Sequence, residues 1–427
     1  MAKRHGAGGQ RILAAQAAGW RMVYALGLTE LTSWGIVYYA FGVLLTPMER
    51  ELGWSQAQLT GAFALAMVVA GLVAIPVGRV LDRHGARAVM TIGSAAAALL
   101  VAGWARVETL PGFYLVWAGL GACMAAILYE PAFQVVATWL PQDRSRAMTT
   151  LTIGGGLASV IYIPLATALA SSLGWRSALL VLAGLLAVTT IPLHALVLRG
   201  LPPAQPTEAE DWPLPAPAAA ISVGTAVRGA TFWWFALGVA LSTGATMTIN
   251  VHLVSYALQH GASAALSATA AGLLGASQIP SRILIAALGR RVSSHMLILG
   301  LGAAQALALG LLLAMPAPGG LLLFAALFGA GSGALTPTRA ALMAEVYGSA
   351  HYGSISGVLA FLTTLIRAGA PVAASLLVAR TQSYAPVLAA LLAGTLLSAG
   401  AMTAGWRQRP ARPAPPANPS LEQGVSA

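Results

Sequence analysis

The amino-acid sequence predicts an all-α membrane protein in which twelve transmembrane helices form two pseudo-symmetric six-helix bundles. Of the 427 residues, 58% are hydrophobic and only 8% are charged, whereas soluble proteins carry about 25% charged residues. Apolar windows long enough to cross a bilayer recur twelve times, and short sequence features repeat at a nearly constant distance in the two halves of the chain. Together these observations exclude a water-soluble fold.

Each window holds about 20 apolar residues, which suits a hydrocarbon core about 30 Å thick. Backbone groups in lipid must be hydrogen-bonded internally, so every window is predicted to be a helix. The predicted spans 1 to 12 cover approximately residues 22–47, 56–78, 88–106, 111–139, 146–171, 177–198, 229–258, 264–288, 293–314, 320–345, 353–379 and 384–405. Prolines within the spans are expected to kink the helices without breaking them, at Pro76, Pro131, Pro164, Pro280, Pro337 and Pro371.

The composition between and outside the spans predicts the domain organisation. Residues 199–228 are rich in proline and acidic residues, which is typical of a flexible linker. This linker separates a first bundle over 22–198 from a second bundle over 229–406. Residues 1–21 are expected to be an N-terminal tail, and the proline-rich residues 407–427 a disordered C-terminal tail.

Arginine and lysine residues are concentrated in alternate connections between the spans. With the N-terminus placed in the cytoplasm, sixteen of them fall on the cytoplasmic side and four on the other side. Cytoplasmic connections of membrane proteins carry such an excess of positive charge. We therefore expect both termini to be cytoplasmic, in a multi-pass protein of a bacterial-type inner membrane.

The two halves share features that indicate an internal duplication. Gly53 follows span 1 and Gly261 follows span 7, 208 positions later. Pro164 and Pro371, in spans 5 and 11, are 207 positions apart. The offset of 208 also aligns Asp82, after span 2, with Arg290, after span 8. The duplicated ends of these two spans therefore differ in charge.

Several function classes are excluded by what the sequence lacks. The net charge of +11 is distributed over short turns, without the basic face interleaved with aromatic residues that nucleic-acid binding requires. The single cysteine, Cys123, excludes an intrachain disulfide and a cysteine metal site. No H-E-x-x-H, G-x-S-x-G or P-loop motif occurs, so we expect neither an enzyme nor a cofactor.

The charged turn over residues 78–87 carries a recognisable motif. It reads Gly-Arg-Val-Leu-Asp-Arg-His-Gly-Ala-Arg and resembles the loop 2–3 signature of the major facilitator superfamily, G-x-L-x-D-R-x-G-R-R. Val80 and Ala86 depart from that pattern. The resemblance implies a secondary transporter that works by alternating access. It assigns conformational gating to the motif residues Gly78, Asp82, Arg83, Gly85 and Arg87.

Within this resemblance, Asp82 is expected to contact the N-terminus of span 11 near Gly353, linking the two halves and favouring an outward-facing state. A carboxylate is stabilised there by the helix dipole, by about 0.3–1 kcal/mol. The alternative is that the arginines of the turn only determine topology and Asp82 is their local partner.

Two further stretches resemble the monocarboxylate and oxalate/formate branch of the superfamily. They are Glu51-Leu52-Gly53-Trp54-Ser55 before span 2 and Gly174-Trp175-Arg176 after span 5. The resemblance implies that Arg282 in span 8 binds a substrate carboxylate. The sequence departs from the branch at Gln278, where mammalian-type members carry an acid, and at Tyr39, near a proton-linked lysine of some members.

Five ionisable residues lie inside the predicted spans, all in spans that line or flank the cavity in the superfamily. A charge at the bilayer centre costs at least about 2.5–3.5 kcal/mol and indicates function. The first half contributes acids and the second half arginines: Glu30, Glu130, Arg282, Arg339 and Arg367. The surplus of positive charge favours an anionic substrate, for which arginine's planar fork is suited.

We expect Arg282 or Arg367 to contact substrate and Glu30 or Glu130 to carry a coupling proton. The alternative is that these charges pair with one another and only gate the halves, with Arg339 as an inter-half charge. Weaker candidates for substrate or proton binding are Gln278, Tyr39, Asn250 and His252.

The predicted function is transport of a small organic anion such as a monocarboxylate, by proton coupling or exchange. The alternative is efflux of amphipathic, drug-like compounds. The expected partners are the substrate, protons and the bilayer, and the expected state is a monomer.

Overall fold

The computed structural model describes residues 2–199, 221–288, 291–316 and 318–409. These residues form seventeen α-helices and a π-helical segment at Trp34–Tyr39. The α-helices, α1 to α17 in chain order, are Ala2–Ser33, Ala40–Leu52, Gln56–His84, Ala86–Trp104, Leu110–Ile127, Tyr129–Trp139, Arg144–Leu173, Trp175–Val197, Val223–Arg228, Ala230–Gln259, Ala264–Ala276, Gln278–Leu288, Ser294–Ala314, Leu321–Gly333, Leu335–Tyr347, Tyr352–Thr381 and Ala385–Arg407.

Twelve spans in the described residues are long and apolar enough to cross a membrane, which confirms the predicted number. Spans 1, 4, 8 and 10 each consist of two α-helices in succession. Span 1 comprises α1 and α2 with the π segment between them, span 4 comprises α5 and α6, span 8 comprises α11 and α12, and span 10 comprises α14 and α15. The other eight spans are single helices.

The expectation that proline only kinks these helices is wrong at three of its six positions. Spans 4, 8 and 10 are interrupted at Leu128, Ser277 and Ala334, each three residues before a proline. Proline lacks the N–H that would bond to the carbonyl four residues earlier, and its ring clashes with that carbonyl, next to which each break lies. At Pro76, Pro164 and Pro371 the helices continue.

The segments outside the spans differ in part from expectation. Helix α1 begins at Ala2, within the predicted N-terminal tail. The predicted linker contains a short helix, α9, whose first turn is capped by Ser222. Residues 200–220, Arg290 and residues 410–427 lie outside the described part of the chain. The flexibility of the linker, the position of Arg290 as the repeat partner of Asp82 and the disorder of the C-terminal tail therefore stay predictions.

The internal duplication is visible in the backbone. Gly53 and Gly261 both have positive φ, 68° and 82°. Each is followed two residues later by a serine, Ser55 or Ser263, whose side chain caps the next helix. At the ends of spans 5 and 11, Gly174 and Gln382 also have positive φ, 78° and 53°, at the same spacing of 208. The two bundles are therefore pseudo-symmetric in local conformation as well as in helix number.

The bundles pack together at the face that carries loop 2–3. One apolar core contains residues of both bundles, including Met22 and Phe133 from the first and Phe232 and Tyr352 from the second. Two other large cores each belong to a single bundle. Helices α3 and α16 cross at Gly78 and Gly353, where a side chain at either position would overlap the other backbone. The structure is thus closed at the loop 2–3 face.

We expect Gly78→Ala to weaken this closure. The added methyl group would overlap the carbonyl of Gly353, and overpacking of this kind costs about 1–3 kcal/mol. The melting temperature in detergent should fall for Gly78→Ala. Gly184→Ala is the matched control, because a methyl group at Gly184 meets no atom within 4 Å. Equal melting temperatures for the two variants would contradict the prediction.

Candidate functional site

Arg282 bridges the two bundles beside the broken helices. Its Nε donates to the carbonyl oxygen of Gly333 at 2.8 Å, and its Nη1 donates to the carbonyl oxygen of Thr152 at 2.6 Å. Nη2 lies 3.4 Å from Oε1 of Gln278, one turn earlier on α12. Thr152 belongs to the first bundle and Gly333 to the second. The guanidinium therefore hydrogen-bonds to backbone on both sides of the interface.

The local sequence explains why both contacts can form. Pro337 has no N–H, so the carbonyl of Gly333, four residues earlier, lacks its usual helical donor. Arg282 supplies that donor. On the other side, a methyl group at Gly156 would overlap Nη1 of Arg282. Glycine at position 156 is therefore what lets the guanidinium reach the backbone of α7.

Glu130 and Arg339 form a salt bridge between the bundles. Nη2 of Arg339 lies 2.8 Å from Oε1 of Glu130. The pair lines a small space together with Tyr352 and Ser356 from the first turns of α16. The possibility that intramembrane charges pair across the halves is thus realised for these two residues.

Arg367 lies at the middle of α16. Its side chain is exposed even though it is far from either end of the span, and it lines a cavity of about 80 Å³. Among the described residues, no hydrogen bond or salt bridge engages its guanidinium. Pro371, four residues later in the same helix, also removes the usual donor for the backbone carbonyl of Arg367. Arg367 is thus an intramembrane arginine without an ion-pair partner in the described part of the chain.

Glu30 is fully buried in α1, and neither of its carboxyl oxygens has a hydrogen-bond partner. The indole of Trp34, one turn later, lies near this carboxyl, but its N–H meets no hydrogen-bond geometry. Trp34 opens the π segment, and π segments occur frequently at functional sites.

Aromatic rings surround this part of span 1. Trp34 lies 5.2 Å from Tyr38 and 5.1 Å from Tyr129 between ring centroids, and Tyr38 lies 5.2 Å from Tyr39. Tyr129 is within electrostatic range of Arg282, Arg367 and Glu30. The phenol groups of the first bundle therefore face the arginines of the second.

Asp82 caps the N-terminus of α16, which is the contact that the family resemblance implied. Its Oδ1 accepts from the backbone N–H of Gly353 at 2.9 Å, and its Oδ2 accepts from that of Ser354 at 2.8 Å. The side chain of Gln134 donates a further hydrogen bond to Oδ1, at 2.9 Å. A carboxylate placed here satisfies free helical N–H groups and complements the helix dipole.

The remaining residues of the loop motif have separate positions. Gly85 has φ of 75°, a left-handed conformation that favours glycine. The Nε of Arg87 donates to the carbonyl oxygen of Ala195 at the end of span 6, at 2.9 Å. Arg83 is exposed. Only Gly78 and Asp82 of the motif thus take part in the contact with α16.

The weaker candidates do not form one cluster. His252 packs inside the second bundle, with Nδ1 3.2 Å from the Tyr384 hydroxyl and Nε2 3.0 Å from the carbonyl oxygen of Pro371. Asn250 is exposed on α10. Tyr39 is half-buried beside Tyr38 and within electrostatic range of Arg282. Of these three residues, Tyr39 is the one that the structure brings to the arginines.

Comparison with known proteins decides the family. The model of the Major Facilitator Superfamily matches residues 23–371. The chain belongs to this superfamily. The solved members that share its fold are transporters.

Two curated relatives illustrate the similarity within the superfamily. Human monocarboxylate transporter 11 is 31% identical over 251 residues, which cover 57% of this chain and 50% of that protein. The oxalate:formate antiporter of Oxalobacter formigenes is 28% identical over 166 residues, 38% of each chain. The match thus spans about half the length of the first of these relatives. A crystal structure of the superfamily transporter FucP in its outward conformation covers 92% of this chain with a TM-score of 0.71 and 15% identity, which shows the shared fold.

The two stretches that resembled the monocarboxylate branch meet in space. Glu51 accepts from Nε of Arg176 at 2.7 Å and from the indole of Trp175 at 2.6 Å. Nη1 of Arg176 also donates to the carbonyl oxygen of Ala105, at 2.8 Å. In this superfamily member the cluster joins the ends of spans 1, 3 and 6 within the first bundle. The cluster lies at the face opposite loop 2–3.

Sequence reasoning missed several residues that shape the site. Three consecutive glycines are packed closely on different sides. A methyl group at Gly154 would overlap the backbone of Gly27, one at Gly155 the hydroxyl of Tyr129, and one at Gly156 the guanidinium of Arg282. Three consecutive glycines in a span could have signalled such close packing on three sides. Gln134, which is buried beside Asp82, carried no signal of its own. Gln305, a buried amide in an outer span, was detectable as a polar residue in a predicted lipid-facing helix.

We expect Asp82→Asn to open the loop 2–3 face. The substitution removes the negative charge at the start of α16 and leaves one oxygen where two now accept. A change of about 1–3 kcal/mol shifts a two-state population 5–150-fold. In a Cys123→Ala background, spin labels at His84→Cys and Ser349→Cys, both exposed at this face, should report a larger distance. The control is Glu108→Gln, which neutralises an exposed acid elsewhere. Unchanged distances in Asp82→Asn would exclude a gating role.

Proposed function

We propose that the chain is a secondary active transporter of a small organic anion, such as a monocarboxylate, and that Arg367 binds the substrate carboxylate. The observation that carries this proposal is that Arg367 lies at the middle of its span, lines a cavity and has no ion-pair partner among the described residues. A charge inside a membrane protein is costly, so an arginine that is kept there without an ion-pair partner indicates a ligand site or an ion pathway. The names of the two carboxylate-transporting relatives agree with this substrate class.

The other intramembrane charges have different parts in this proposal. Arg339 is neutralised by Glu130, so the pair contributes to closure of the interface. Arg282 is occupied by two backbone carbonyls. A carboxylate that reached Arg282 would compete with those contacts, because it carries the opposite charge and can accept two parallel hydrogen bonds from the guanidinium. Substrate binding is thereby linked to release of the interface, with Gln278 and Tyr39 next to the same guanidinium.

Glu30 is the proposed proton site. A buried carboxylate with no partner is costly in its charged form, and Glu30 has none for either oxygen. It lies in the same region as Tyr129 and the arginines. A proton carried by Glu30 would make the transport a symport of anion and proton, while exchange of one anion for another would not require it.

The proposal includes an orientation. Both termini are placed in the cytoplasm on the basis of the arginine and lysine distribution, in a bacterial-type inner membrane. The loop 2–3 face, which is closed in the structure, is then cytoplasmic. The described conformation corresponds on this basis to an outward-facing state of a monomer.

Efflux of amphipathic compounds is the second candidate. The aromatic rings of Trp34, Tyr38 and Tyr129 favour it, because such rings bind apolar and cationic ligands. The three arginines oppose it for cations. Efflux of a cationic dye from proteoliposomes, without uptake of labelled carboxylates, would favour this candidate over the first.

We expect Arg367→Ala to reduce uptake of labelled carboxylates into proteoliposomes by about 10–150-fold, which corresponds to loss of hydrogen bonds to a charged group. Arg380→Ala is the matched control, because Arg380 lies on the same helix near its end and is exposed. Arg282→Ala should also reduce uptake, through both the site and the interface. Normal transport by both Arg367→Ala and Arg282→Ala would disprove the anion site.

We expect Glu30→Gln to abolish stimulation of uptake by a proton gradient while exchange of internal for external anion continues. Glutamine has the shape of a protonated glutamate but cannot release a proton. The control is Glu49→Gln, an acid near the other end of span 1. Retention of full proton stimulation in Glu30→Gln would assign the coupling proton elsewhere or show that coupling is absent.

A further inference from the structure

A cavity of about 80 Å³ extends from the arginines into the second bundle. It lies between spans 7, 9, 10 and 12, and both Arg339 and Arg367 line it. Arg339 also reaches Glu130 of the first bundle, so this side of the cavity adjoins the interface between bundles. A cavity needs about 10–15 Å³ of such volume to hold one water, so this one has room for several water-sized groups.

The hydroxyl groups of the cavity present acceptors. Ser398, Thr395, Thr246 and Ser332 line it, and each donates its hydroxyl proton to a backbone carbonyl, at 2.6, 2.8, 3.0 and 3.1 Å respectively. A hydroxyl group that has donated its proton keeps its lone pairs as acceptors. A ligand with several donors is therefore suited to these four oxygens.

Gln305 gives the cavity a fixed polar end. It lies on α13, in an outer span of the second bundle, and is fully buried. Its Nε2 donates to the Thr246 hydroxyl at 3.2 Å, and its Oε1 is 3.4 Å from the Ser242 hydroxyl. The amide retains one further N–H, so the cavity also holds a donor. Hydroxyl groups both donate and accept and are small enough for this space, whereas ammonium groups are disfavoured by the two arginines that line the same cavity.

We infer that this cavity is a substrate subsite for the hydroxylated end of a small carboxylate that bears at least two hydroxyl groups. The carboxylate lies on Arg367, and the hydroxyl groups donate to the serine and threonine oxygens. Two hydroxylated carbons bring four non-hydrogen atoms, which matches the room available. This inference rests on the proposed function, because it requires the carboxylate to bind Arg367.

Three acids with the same number of carbon atoms test the inference. They are propanoate, 2-hydroxypropanoate and 2,3-dihydroxypropanoate, with none, one and two hydroxyl groups. We expect kcat/KM for uptake into proteoliposomes to rise along the series, by at least about tenfold from first to last, since unmade hydrogen bonds in such a site are costly. Uptake of none of the acids would contradict the proposed function itself. Uptake of all three with equal kcat/KM would overturn the subsite and leave anion transport standing.

Two threonines on the same helix provide a matched pair of variants. Thr395 lines the cavity and Thr403 does not, yet each donates to the carbonyl four residues earlier at the same distance, 2.8 Å. Thr395→Val should lower the ratio of dihydroxypropanoate to propanoate transport about fivefold, as loss of one hydrogen bond predicts. Thr403→Val should leave the ratio unchanged.

A second cavity variant keeps the test decisive if Thr395→Val fails to fold. Ser398→Ala removes another acceptor from the same cavity and should lower the same ratio. Because each ratio compares two substrates in one variant, it is independent of the amount of folded protein. A ratio that stays at the wild-type value in Ser398→Ala, or in Thr395→Val, would overturn the subsite.

Discussion

A backbone carbonyl inside a membrane must find a donor within the protein, and one such carbonyl organises the centre of this molecule. Pro337 deprives Gly333 of its helical donor, and Arg282 replaces it. The same guanidinium then bonds to Thr152 of the other bundle, across a space that Gly156 leaves open. A local defect in span 10 is thus repaired by a side chain that also holds the two bundles together. Any ligand that draws Arg282 away exposes that defect.

The three intramembrane arginines differ in what compensates their charge. This difference separates arginines that hold the bundle interface closed from an arginine that is available to an anion. Arg339 has a carboxylate partner and Arg282 has dipolar backbone partners, while Arg367 is exposed in its cavity. A ligand shifts a conformational equilibrium only by its differential affinity for the two states. An anion on Arg367 alone would bind without altering the interface. An anion shared with Arg282 weakens the contacts that keep the loop 2–3 face closed, and so favours the change of state.

The sequence predicts the parts of this arrangement that depend on local pattern. Hydropathy located the twelve spans, and the loop motif placed Asp82 beside Gly353. The sequence did not show that Glu130 pairs with Arg339 and not with Arg367. These arginines lie 209 and 237 positions after Glu130, and either could be its partner until the helices are packed. The breaks at Leu128, Ser277 and Ala334 were also missed. Proline alone does not distinguish them from Pro371, where the helix continues.

Asp82 holds the loop 2–3 face by two backbone hydrogen bonds at the surface, whereas Glu130 and Arg282 hold it from within. These contacts share no side chain, so their contributions are expected to add approximately when altered singly. The surface contact does not itself touch the proposed substrate site, since it is made with the first turn of α16, and Arg367 lies at the middle of that helix. Loss of Asp82 should therefore change how often the face opens with or without substrate. Loss of Arg282 should change how strongly opening depends on substrate. Asp82 would then be a residue that only stabilises the closed face, and Arg282 a residue that couples opening to substrate.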